Sequence, residues 1–199
     1  MELIKKAVLL SGGIDSICLT YGIRPDIAYT IDYGQTVAER ELFVSEYICK
    51  ELGILHKSIK VDCKSLGSGT MANSANLALS PSDEWWPFRN QLLVTLACMQ
   101  GIKDGVKEVY LASVKSDSFH RDGTEEFYDI MDRLIKYQEG FINIKCPTLN
   151  LYSHEIALLY NVPIELLTIA HSCHISNIAC GKCSGCLKQL KVRHELKIE

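Results

Sequence analysis

A chain of 199 residues, 47% of them apolar, is long enough for one α/β domain with a full core and short for two. The formal net charge of −3 excludes a global field that would hold nucleic acid, so such a contact would need a local patch. Nine cysteines, an odd number, and an N-terminal "MELIKKAVLL" whose apolar run is too short for a signal peptide point to a cytoplasmic, reducing setting; no apolar run approaches the roughly 18–20 residues of a membrane span.

Residues 7–10, 26–31, 57–61 and 108–112 read as strands and alternate with helical patterns over residues 14–21, 37–52 and 90–103. That alternation predicts a parallel sheet with crossover helices. At the first junction, "AVLLSGGIDSICLTYG", an apolar strand breaks at Ser11, Gly12 and Gly13 and resumes as a helix at Ile14. Backbone N–H groups, a hydroxyl and the positive helix end there offer an anion site. No lysine follows, as it would in G-x-x-x-x-G-K-[ST]. Asp15 repels a bare phosphate, which calls for a magnesium ion or a loop-orienting role, and Ser16 adds a second hydroxyl.

The second strand ends in "IDYGQ". In the helix that follows, Glu39, Arg40 and Glu41 read as surface charges. Residues 62–89 form a long Ser-, Gly- and Asn-rich segment without periodicity, expected to border the active site. Within it Trp85 and Trp86 either stack on a purine or anchor the loop to the core, and "PFRNQLL" closes it. A helix over residues 153–160, a turn at "NVPIEL" and a final helix from about Ser184 complete the chain. Lys182, Lys188, Lys191, Arg193 and Lys197 make that last helix basic, the usual signature of a solvated face.

In "SCHISNIACGKCSGCLKQLK", two overlapping C-x-x-C steps let Cys180, Cys183 and Cys186 converge from one turn, and Cys173 completes a tetrahedral set with no open position. The spacing predicts a structural zinc site; a redox pair, inert thiols or an iron–sulfur cluster would use the same residue type. His171 and His174 flank the cluster and are left out of it.

Taken together, S-G-G-x-D-S, D-Y-G-Q, P-x-R-N and C-G-x-C-x-x-C resemble the motifs of the 7-cyano-7-deazaguanine synthase family of PP-loop ATP pyrophosphatases, over nearly the whole chain. The resemblance implies a Rossmann-like (adenine nucleotide alpha hydrolase-like) α/β fold: a parallel sheet with helices on both faces, as one domain of residues 1–199 that includes a C-terminal zinc-binding segment, 171–199. Leu10, Ser11, Gly12, Gly13, Asp15 and Ser16, with Tyr33, Gly34 and Gln35, would hold ATP and Mg2+. Ser11, Asp15, Ser16, Arg89 and Asn90 would serve catalysis, and the four cysteines would bind one structural Zn2+ per chain. The implied reaction adenylates the carboxylate of 7-carboxy-7-deazaguanine and passes it to ammonia or another amine, in a homodimer with no membrane or nucleic-acid partner. The chain departs from the family at Lys115, where the family has asparagine, at Ser153, where it has lysine, and at His171, where it has Trp; Asp117 and Asp122 roughly keep its acidic positions. These changes support a second reading, a specialised relative that stops at the amide or joins the deazapurine to a protein. A zinc module that binds nucleic acid through the basic last helix is the reading from another class.

Overall fold

The computed structural model describes residues 4–198; the ends of the expected 1–199 domain, residues 1–3 and 199, lie outside the described residues. Five parallel strands form one sheet, β1 (Lys6–Leu9), β2 (Ile27–Asp32), β3 (Leu55–Lys60), β4 (Glu108–Tyr110) and β5 (Asn143–Lys145), in the order β3-β2-β1-β4-β5. Pairing runs Ala7 to Ile27 on one side of β1 and Ala7 to Val109 on the other. The middle residues of the central strands β1 and β2 are buried because both faces are covered, as parallel sheets require.

Alternation along the strands assigns side chains to two cores. Val8, Leu10 and Ala28 face one layer, built with α1 (Ile14–Ile23), α2 (Ala38–Leu52), α6 (Ser153–Leu159), α7 (Ile164–Ile169) and α8 (Ser184–Glu195). Ala7, Ile27, Tyr29 and Val109 face the other, built with α4 (Arg89–Asp104) and α5 (Glu125–Tyr137). The chain winds outward from β1 through β2 to β3, then returns to place β4 on the other side of β1. The direction of winding reverses between β1 and β4, so their carboxyl ends diverge into a crevice, the usual ligand position in open α/β sheets.

Two elements lie where the sequence reading named none. Thr124 caps α5, its Oγ1 accepting from Phe127 N at 3.3 Å, and α5 then presents Tyr128, Met131 and Ile135 to the core. β5 is three residues long, too short to show a period. The expected turn at "NVPIEL" becomes the start of α7, because Pro163 supplies the extended entry and Leu166 and Leu167 are buried behind it. The long segment 62–89 contains a 3-10 turn at Lys64–Leu66 and the short α3 (Gly69–Ala72). Trp86 fixes it to the core, buried and edge-on to Tyr33 with ring centroids 4.9 Å apart. The anchoring alternative therefore describes this tryptophan, and neither Trp85 nor Trp86 lines the main cleft.

Candidate active site

A cleft of about 860 Å3 opens at the carboxyl ends of β1, β2 and β4. Its floor is the β1–α1 junction. Gly12 takes φ +73°, and a Cβ there would lie 3.0 Å from Val44 Cβ and 3.2 Å from Glu41 O, so a side chain in this turn would be both strained and crowded. Gly13 is the N-cap of α1 with no side-chain cap, which leaves the first-turn N–H groups free of intrahelical partners. Ser11 Oγ and Ser16 Oγ stand 3.3 Å apart beside them, and Ser16 Oγ donates to Gly13 O at 2.9 Å. Hydroxyls, amides and a positive helix end thus converge on one point, the arrangement that accepts phosphate.

The structure brings Leu10, Ser11, Gly13, Asp15, Ser16, Tyr33, Arg89 and Asn90 to the cleft. Gly12, Gly34 and Gln35 stand behind its wall. Buried Gln35 accepts from Tyr33 N at 2.8 Å and donates to Ile31 O at 2.9 Å and to Glu41 Oε2 at 2.7 Å, which fixes the Tyr33 backbone. Arg89 Nη1 contacts Met71 Sδ at 3.0 Å, and Asn90 Nδ2 donates to Asp122 O at 2.7 Å, tying α4 to the loop after β4. Met71, Glu84 and Arg89 line the rim, so the long segment does border the cleft.

Three charges read from the sequence as solvated, Glu41, Lys188 and Lys191, line the cleft instead. Glu41 lines it, and burial pushes its carboxyl up to about 7 against the pull of the Gln35 hydrogen bond and of Arg89. Lys188 reaches in from α8, with Nζ 2.8 Å from Asp15 Oδ2 and 3.0 Å from Asp117 Oδ1. Burial alone would push Lys188 down, but Asp15 and Asp117 outweigh it and hold the ammonium above its ordinary value. Burial raises Asp15, and Lys188 with the Ser153 hydroxyl only partly offsets this. Asp15 Oδ1 is buried with no hydrogen-bond partner, an oxygen that a divalent cation would satisfy. Lys115, by contrast, is exposed, lies 5.1 Å above the Tyr152 ring and is not among the cleft-lining residues. Lys191, which is exposed, also lines the cleft, so α8 brings two lysines to it.

Beside the cleft the four cysteines converge, all Sγ atoms within 4.8 Å of one another. Cys173 and Cys183 Sγ are 3.9 Å apart, and Cys180 and Cys186 Sγ 3.8 Å. A tetrahedron with Zn–S near 2.3 Å requires S···S of about 3.8 Å, so the set fits zinc. Backbone N–H groups of Lys182 and Cys183 pull the Cys180 thiol down to about 6, toward the thiolate that binds metal. Cys18, Cys49 and Cys98 are buried elsewhere, their thiols pushed up by desolvation.

The family described as "Queuosine biosynthesis protein QueC" matches residues 5–196. The chain belongs to the QueC family. It is 33% identical to a 7-cyano-7-deazaguanine synthase from Campylobacter curvus, over 94% of this chain and 92% of the relative. It is 29% identical to a protein of the same description from Nautilia profundicola, over 98% and 96%. Among solved structures it is similar to an NMN synthetase from Francisella tularensis, with TM-score 0.48 and 15% identity over 100% of this chain and 74% of that one. The QueC match spans both the β1–α1 junction and the cysteine cluster, so both features belong to the family's matched region. Among the described residues, no helix is long and apolar enough to cross a membrane.

Proposed function

We propose that the chain is a single-domain, ATP-dependent ligase of queuosine biosynthesis that adenylates the carboxylate of 7-carboxy-7-deazaguanine and transfers the acyl group to an amine. The observation that carries this reading is the anion loop at the β1–β4 crevice, with its paired hydroxyls and free helix amides, combined with membership of a family whose relatives are named 7-cyano-7-deazaguanine synthase. In the first step the substrate carboxylate oxygen attacks the α-phosphorus of ATP, the bond to the β-phosphate bridging oxygen breaks, and pyrophosphate leaves. An amine then attacks the acyl carbon and loses a proton as AMP departs, giving the amide. A second activation at the amide oxygen followed by loss of AMP and a proton yields the nitrile.

Ser11, Ser16 and the α1 amides bind phosphate oxygens, with Leu10, Gly12 and Gly13 shaping the turn. Tyr33 forms the wall that Gly34 and Gln35 brace, and Arg89 and Asn90 extend the polar rim. Mg2+ bound at Asp15 would supply charge neutralisation for the pyrophosphate, and Zn2+ on Cys173, Cys180, Cys183 and Cys186 a fixed fold for the last segment. Ammonia as acceptor and a homodimer complete the reading. Mass spectrometry of products from ATP, 7-carboxy-7-deazaguanine and ammonium tests it. Acid-dependent AMP with the amide or nitrile is expected; ADP, or nucleotide turnover indifferent to the acid, would overturn it.

A further inference from the structure

Lys188 is set in place by more than its own charge. A Cβ at Gly185 would lie 1.8 Å from Ser172 O and 2.8 Å from His174 Nε2, so only glycine lets the first turn of α8 pack against that segment. Gln189 then clamps the same segment, donating to Ala170 O at 2.7 Å and accepting from Ser172 N at 3.1 Å. Cys183 Sγ caps the helix start, accepting from Cys186 N at 3.4 Å, and Val192 is buried in the core. With so many anchors, α8 does not need an ion pair at Lys188 to stay docked.

The Lys188 ammonium nevertheless bridges two carboxylates, one from the first turn of α1 and one from the turn after β4. Its side chain keeps 30% of its exposure and that of Asp117 37%, so the pair is reachable from the cleft. The Lys188–Asp117 pair, at this exposure, is weak and exchangeable, whereas Asp15 is the more enclosed partner, 15% exposed. Asp15 presents an unpartnered buried oxygen on the same side chain, and Asp117 Oδ2 is already engaged by Val114 N at 3.1 Å. A divalent cation brings twice the charge and prefers carboxylate oxygen, so it competes with an ammonium for this set.

We propose that Lys188 is a positioning residue that holds Asp15 and Asp117 together where a divalent cation would compete for the same carboxylates, and that metal binding there would displace its ammonium toward the anion loop. This rests on the functional reading above only in its second half, the use of the freed ammonium against an anionic substrate. Ser11, Ser16 and Lys188 line the same cleft, so the displaced charge remains beside the phosphate-binding amides. The α8 segment thus contributes a charge to the site as well as closing it.

The test uses zinc-loaded full-length protein and Mn2+ alone, followed by electron paramagnetic resonance. Lys188→Met is expected to bind Mn2+ about threefold or more tightly than wild type, because a competing cation is gone. Lys188→Arg should bind as wild type does, and Asp15→Asn should lose the site. In pyrophosphate release at saturating ATP, Lys188→Met is expected to lose about tenfold or more in kcat with a smaller change in KM for ATP. Unchanged or weaker Mn2+ binding in Lys188→Met, or Mn2+ retained in Asp15→Asn, would overturn the proposal; a purely structural lysine would weaken metal and ATP binding together. If the wild-type protein releases no pyrophosphate with the deazapurine acid, the functional reading fails while the Mn2+ comparison still decides the exchange.

Discussion

Replacing Glu41 by Gln probes the electrostatics of the cleft wall with little change in shape. Burial raises the Glu41 carboxyl from its ordinary 4.5 to about 7. A carboxyl whose folded pKa lies above its unfolded value holds its proton more tightly in the folded protein. The stability it contributes is therefore complete below about pH 4.5 and is lost as pH rises through about 7. At about 1.4 kcal/mol per pH unit, that gap of about 2.5 units sets a ceiling of about 3.5 kcal/mol. The cleft is open to water, so about 2 kcal/mol is the expected size after screening. Glutamine carries no charge and keeps an acceptor for Gln35 Nε2, which now reaches Glu41 at 2.7 Å. Urea denaturation at pH 5, 6.5 and 8 reads the effect. Glu41→Gln should be more stable than wild type by about 2 kcal/mol at pH 8, with the difference shrinking toward zero at pH 5. A difference that does not vary with pH, or a variant less stable at pH 8, would refute the reasoning.

Ser11→Ala and Asp15→Ala are expected to slow acid-dependent pyrophosphate release by about a hundredfold while the urea midpoint stays near wild type, since both side chains face the cleft; near-normal release in either would remove the anion-loop assignment. Elemental analysis should find one zinc per chain, and Cys183→Ser should lower that occupancy and speed hydrogen exchange across residues 171–198, because structural zinc contributes on the order of 10 kcal/mol or more of apparent binding energy. Full occupancy in the variant would contradict the ligand set. Gly185→Ala should cost about 1–3 kcal/mol in urea denaturation, as its Cβ meets Ser172 O at 1.8 Å; an equally stable variant would show that α8 does not pack so closely.

What the sequence discloses depends on whether local chemistry or remote packing decides a residue's place. The turn from Ser11 to Ser16 is legible because two glycines between a strand and a helix leave first-turn amides and two hydroxyls converging wherever the sheet puts them. The cysteines are legible because C-x-x-C spacing alone brings Sγ atoms together. Lys188 and Glu41 are not, because a charge on a helix reads as solvated until the partner elements are known. Lys188 faces inward only because Gly185, Gln189 and the cysteines turn α8 that way. Thr124 followed by Glu125 and Glu126 did carry a helix-start signal for α5, whereas three-residue β5 had no pattern to read and takes its place from its neighbour β4. Lys115, named in the sequence only as a departure from the family's asparagine, is exposed and covers the Tyr152 ring, a placement that packing and not local pattern decides.

The central claim, that a carboxylate is activated by joining it to AMP, is tested most directly by following oxygen. With 7-carboxy-7-deazaguanine labelled with 18O in its carboxylate, attack on the α-phosphorus carries one labelled oxygen into the acyl–phosphate bridge, and cleavage at the acyl carbon leaves it on AMP. Phosphorus NMR and mass spectrometry should therefore find 18O in AMP and none in pyrophosphate. Unlabelled AMP, or label in inorganic phosphate alongside ADP, would contradict the account.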